Sequence, residues 1–94
     1  MLRRAEWPHT VGDIIKALDG IWGIVGAIST TGNLLRLERS LYEPTTYTLT
    51  EYKQQNEAEV LSTKNYTADQ KAFAVGEFAR QLGFNHQLVE PGRE

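Results

Sequence analysis

The sequence predicts an α+β fold: an N-terminal helix, an antiparallel β-meander of three to four strands, and a C-terminal helix packed on the sheet. Three observations predict it. Apolar residues recur at helical spacing near both ends of the chain. Between them the apolar period drops to two. Each helical segment opens on a threonine and closes on a glycine. At 94 residues the chain is sized for a single domain, 1–94, with 1–9 and 86–94 read as loosely ordered tails.

The first helix is expected over 10–19. Thr10 is a good N-cap, with Asp13 in a shortened capping box. Val11, Ile14, Ile15 and Leu18 then form a one-sided apolar stripe, and Asp19-Gly20 ends it, with Gly20 as the left-handed residue. Residues 21–29 are apolar on both parities and too glycine-rich for a helix, so they read as a strand. Gly23 and Gly26 within it read as close-packing or bulge positions. The turn Thr30-Thr31-Gly32-Asn33 leads to a second strand over 34–42, with Gly32 able to take positive φ. In that strand Leu35, Leu37 and Leu41 share one face; Arg36, Glu38, Ser40 and Tyr42 share the other.

A third strand is expected over 46–53, where Tyr47 and Leu49 face one way and Thr46, Thr48, Thr50 and Tyr52 the other. If Glu43-Pro44-Thr45 is a three-residue loop, Leu41 opposes Tyr47 and like faces coincide. Residues 58–66 read as a fourth strand, in competition with a helix over 51–61. The last helix starts at Thr67 with a Thr-x-x-Gln capping box. It buries Ala72, Val75, Phe78, Ala79 and Leu82, and stops at Gly83.

Composition narrows the chemistry. There is no cysteine, which excludes disulfides, thiolate metal sites and cysteine nucleophiles. The two histidines, His9 and His86, stand at opposite ends of the chain. No serine has a nucleophile motif around it. Gly20-x-x-Gly23-x-x-Gly26 has neither dinucleotide-fingerprint nor P-loop spacing. Glu38 and Glu51 fall on opposite sheet faces, so they make a poor acid/base pair. These readings lead to a non-enzymatic expectation, with no catalytic residue, cofactor or metal. No apolar run approaches the roughly 20 residues of a membrane span, and the start of the chain lacks a signal-peptide core. The expected location is cytoplasmic. A net charge of −2 removes the basic excess that marks most nucleic-acid binders.

Two places carry an apolar surplus. Phe73 lies opposite the buried stripe of its helix, beside Gly76 and Arg80, which is an arrangement suited to a partner surface. The strand 21–29 would be a sheet edge without a charge to blunt it. We therefore expect a homodimer through that strand, with Trp22 and either Ile24 or Val25 in contact. An alternative places single-stranded nucleic acid on the outer sheet face, at Arg36, Tyr42 and Tyr52. A further alternative is a ligand or catalytic site formed only at a dimer cleft, around His86 or Glu51.

The helix–strands–helix order resembles the double-stranded RNA-binding domain in topology over most of the chain. That resemblance implies RNA binding through the last helix, where Lys71 stands in place of the family's basic cluster. Leu18-Asp19-Gly20-Ile21 through Gly32-Asn33-Leu34-Leu35 resembles the opening of roadblock-type dimerisation domains. It covers less than a third of the chain, lacks the family's middle helix, and implies self-association.

Overall fold

The computed structural model describes residues 8–54 and 56–83. The expected architecture is present: α1 (Val11–Leu18), β1 (Ile24–Ile28), β2 (Leu34–Arg39), β3 (Thr46–Tyr52), β4 (Val60–Thr67) and α2 (Lys71–Gln81). The strands form one antiparallel meander in the order β1-β2-β3-β4. Both helices lie on one face, α1 over β1 and β2, and α2 over β2, β3 and β4. The predicted tail 86–94 and most of 1–9 lie outside the described residues, as does His86.

The apolar stripes explain this layering. Ile14 and Leu18 of α1 meet Phe78, Ala74 and Ala79 of α2 above Leu35 and Leu37 of β2 and Leu49 of β3. Phe78, Ile14, Leu18, Leu35 and Leu37 are fully buried, each stabilising the fold by about 1.5–3 kcal/mol. Small Ala74 and Ala79 in α2 leave room for the larger chains of α1 and β2. Ala72, expected in the buried stripe, is exposed, and Ala74 takes its place. The face of α2 is centred between Val75 and Phe78, and Ala72 falls to its flank.

Caps fix the helix ends. Thr10 Oγ1 accepts from the Asp13 N–H at 3.1 Å, and Asp13 Oδ2 accepts from the His9 N–H at 3.0 Å. The His9 N–H holds the Asp13 carboxyl below its ordinary pKa. Before α2 a single 3-10 turn, Ala68–Gln70, carries the capping signal, with Gln70 Oε1 accepting from the Thr67 N–H at 3.0 Å. Gly83 has φ 89°, the left-handed stop expected after α2, and Gly32 takes φ 87° in the β1–β2 turn. Gly20 is not left-handed. The left-handed residue is Gly23, at φ 64°, and it delays the start of β1 from the expected 21 to Ile24. Ile21 and Trp22 therefore precede the strand.

The β2–β3 register is a second correction. Arg39, not Leu41, opposes Tyr47, so the pairing is displaced by two residues and the loop is longer than three. A two-residue slip preserves both faces, so the apolar alternation holds in either register. Ser40 helps to hold the longer loop: its Oγ accepts from the Thr46 N–H at 3.0 Å and donates towards the Tyr42 carbonyl at 3.0 Å. Leu41, expected in the core, is instead 69% exposed on that loop, and Tyr42 is 83% exposed beside it.

Residues 60–67 form a strand, which resolves the competition with a helix. β4 shows a register shift opposite Glu51/Tyr52 that leaves Leu61 without a partner of its own.

Candidate interaction surface at the first strand

β1 is one edge of the sheet, and the direction of its peptide groups follows from two hydrogen bonds. The Arg39 N–H donates to Gly23 O at 2.7 Å, and the Ser29 N–H donates to Asn33 O at 2.8 Å. Residues 23 and 29 thus turn their peptide groups towards β2. Hydrogen bonding alternates along an antiparallel strand, so Val25 and Ala27 do the same. Ile24, Gly26 and Ile28 turn theirs to the free side. Among the described residues no strand lies against that side. There is also no charge anywhere between Asp19 and Arg36.

The side chains divide by parity. Val25 and Ala27 enter the core under α1. Val25, expected as a contact residue, is buried. Ile24, Gly26 and Ile28 belong to the outer face, where Ile24 is half exposed. Trp22 is 80% exposed and Ile21 86%. Trp22, Ile24, Leu41 and Tyr42 wall an open groove of about 330 Å³, with Glu38 and Thr48 among its lining residues. The register explains this placement, since Ile24, Glu38 and Thr48 form one row across three strands.

Arg39 secures this corner. Its Nη1 donates to Leu18 O at 2.9 Å and its Nη2 to Gly20 O at 3.2 Å, satisfying carbonyls left open at the end of α1. The Arg39 side chain packs against Gly23, where an added Cβ would lie 3.2 Å from Arg39 Cζ. The sequence reading missed Arg39. The available signal was a charged residue at the core parity of β2, in line with Leu35 and Leu37.

Arg36, Tyr42 and Tyr52 do not combine into an open stacking surface. Tyr52 lies on the outer face but is only 4% exposed. Arg36 Cζ stands 5.0 Å from its ring centroid, and the guanidinium donates to the Tyr52 hydroxyl. Arg36 Nε also lies 3.1 Å from Glu38 Oε2, an ion pair without hydrogen-bond geometry, and Nη1 lies 3.5 Å from Glu57 Oε1. Glu57 comes from the β3–β4 loop, which this ion pair ties to the outer face. Tyr42 sits apart on the β2–β3 loop.

Phe73, Gly76 and Arg80 share the outward side of α2. Phe73 is 70% exposed, a Cβ on Gly76 would meet nothing, and Arg80 is paired to Glu77. Arg80 holds the Glu77 carboxyl below its ordinary pKa, and Gln81 adds to this by donating at 2.9 Å. This surface belongs to a helix over β2, β3 and β4, so it is separate from the β1 corner.

Glu51 and Glu38 lie on opposite faces of the sheet, and Glu51 accepts from Asn33 Nδ2 at 2.8 Å. Among the described residues no group of three or more His, Cys, Asp or Glu stands where it could hold a metal ion. No helix among them is long and apolar enough to cross a membrane. Comparison with protein-family models, curated proteins and solved structures finds no match.

Proposed function

We propose that this chain is a small, non-enzymatic protein-interaction module of the cytoplasm that works as a homodimer joined through the free edge of β1. One observation carries the reading. The peptide groups of Ile24, Gly26 and Ile28 face outward along an uncharged strand, with exposed Ile21 and Trp22 beside it. Such an edge is a template for another strand, and soluble proteins usually blunt it with charge, proline or a bulge. A second copy of the chain offers the same edge, so each supplies what the other lacks.

Light scattering over a concentration series tests this. The expected mass rises from 10.6 kDa towards twice that value as concentration enters the micromolar range. A constant 10.6 kDa up to high micromolar concentration contradicts the proposal.

A further inference from the structure

The self-association proposed above has a single register that satisfies the whole free edge. We infer that two copies pair β1 with β1 in antiparallel fashion, with the two-fold axis passing through Gly26. The inference rests on the homodimer reading and specifies its geometry.

Ile24, Gly26 and Ile28 each present one N–H and one C=O to the free side. With the axis at Gly26, Ile24 opposes Ile28 of the second copy, and Gly26 opposes Gly26. Every outward group of the strand then finds a partner in the other strand. Moving the axis to Val25 sets Ile28 against Trp22, which lies beyond the break at Gly23. Moving it to Ala27 sets Ile24 against Thr30, which lies outside the strand and whose N–H is already given to Gln81 O at 3.1 Å.

Side chains agree with this register. Isoleucine meets isoleucine on the outer face, and Val25 meets Ala27 on the helix side. The sheets join into one of eight strands, with the helices of both copies on the same face. At a two-fold axis a charge would meet its own copy, and β1 carries none.

Size sets the expected strength. Ile21, Trp22 and Ile24 together expose on the order of 400 Å² per copy, so even complete burial of all three would supply only about half of the ~800 Å² per partner of a standard interface. Paired edge backbone adds to this, which places the dimer in the weak, micromolar class.

The chain has no cysteine, so single-cysteine variants report the register without background. Opposed residues in a hydrogen-bonded antiparallel pair lie about 5.5 Å apart, within disulfide reach. Two copies of residue 24 would lie about 13 Å apart, beyond that reach. Under mild oxidation, G26C is expected to cross-link to itself. I24C alone and I28C alone are expected to stay uncross-linked, and their mixture is expected to give the mixed dimer several-fold above either. Ile24 is half exposed, so the I24C and I28C mixture keeps the test valid if G26C does not fold. Self-cross-linking of I24C above the mixture would overturn the register while leaving the homodimer standing. Absence of every cross-link in a sample that scatters as a dimer would overturn edge pairing. A monomer by scattering would overturn both readings.

Discussion

The two edges of this sheet are built differently. β1 is five residues long, uncharged, and flanked by exposed Ile21 and Trp22. β4 is eight residues long and more exposed, yet it carries Lys64, polar Ser62, Thr63 and Asn65, and an irregularity at Leu61. Charge and bulges are the means by which edges avoid pairing with other chains. One edge has these features and the other lacks them. Side chains and backbone regularity, not edge position, are what distinguish the two strands, and the proposed pairing through β1 rests on that difference.

The largest effect is expected from giving β1 the protection that β4 has. Ile24→Lys places a charge on each side of the two-fold axis, against an isoleucine of the other copy. The dimer dissociation constant should rise by roughly 100-fold, because the half-exposed Ile24 loses its apolar contact with Ile28 on both sides of the axis, about 1.4 kcal/mol each. Sedimentation equilibrium would measure this, with circular dichroism confirming that the monomer remains folded. An unchanged dissociation constant would remove β1 from the interface.

Next comes Arg39→Ala, which leaves the carbonyls of Leu18 and Gly20 without their donor. Hydrogen bonds to a charged group contribute up to about 1.5–3 kcal/mol each, but Arg39 is only partly buried and water can replace part of both, so unfolding in urea should register a loss of about 2–3 kcal/mol. The Trp22 corner should loosen with it, visible as changed amide chemical shifts at Trp22 and Gly23. A loss confined to stability, with those shifts unchanged, would show that Arg39 braces α1 and does not shape the corner.

The converse substitution, Lys64→Val, removes the charge from β4. Modest association beyond the dimer should appear in light scattering at high concentration, limited by the irregularity at Leu61. A strictly dimeric variant would mean that the backbone irregularity alone protects that edge.

The smallest effect concerns Glu77, which lies near Lys64 and Tyr66 of β4. Its folded pKa is lowered, chiefly by Arg80, so its contribution is present above the unfolded pKa and lost as pH falls through the folded one. Glu77→Gln should therefore be less stable than the parent at neutral pH, with the gap closing as pH drops below the ordinary carboxylate range. A gap that stays constant with pH would assign the loss to packing.

Much of this fold was legible because its signals are local. Thr10 with Asp13, Thr67 with Gln70, and Gly83 act within a few residues of themselves, and each does what its type suggests. The parity of β2 and β3 was legible for the same reason. The β2–β3 register was not, since a slip of two residues keeps every face intact. Ser40 and the reach of Arg39 to the end of α1 accompany the observed pairing, and the latter is a contact across the fold. Leu41 and Tyr42 were misplaced with that register. Burial of Tyr52 was illegible because Arg36 packs over it and is held by Glu57, from a loop with no period to read. At the candidate surface, Trp22 and Ile24 were found from apolar surplus, while Val25 fell to the core once Gly23 set where β1 begins.

Amide hydrogen exchange against protein concentration tests the role of β1 most directly. Val25 and Ala27 already give their N–H groups to β2, so their protection should not depend on concentration. The N–H groups of Ile24, Gly26 and Ile28 should exchange fast when dilute and become protected as concentration rises. Those of Thr63 and Asn65 on β4 should stay fast throughout. Concentration-independent exchange at Gly26, fast or protected, would contradict the account: fast exchange would mean the edge stays bare, and constant protection would mean the same chain covers it.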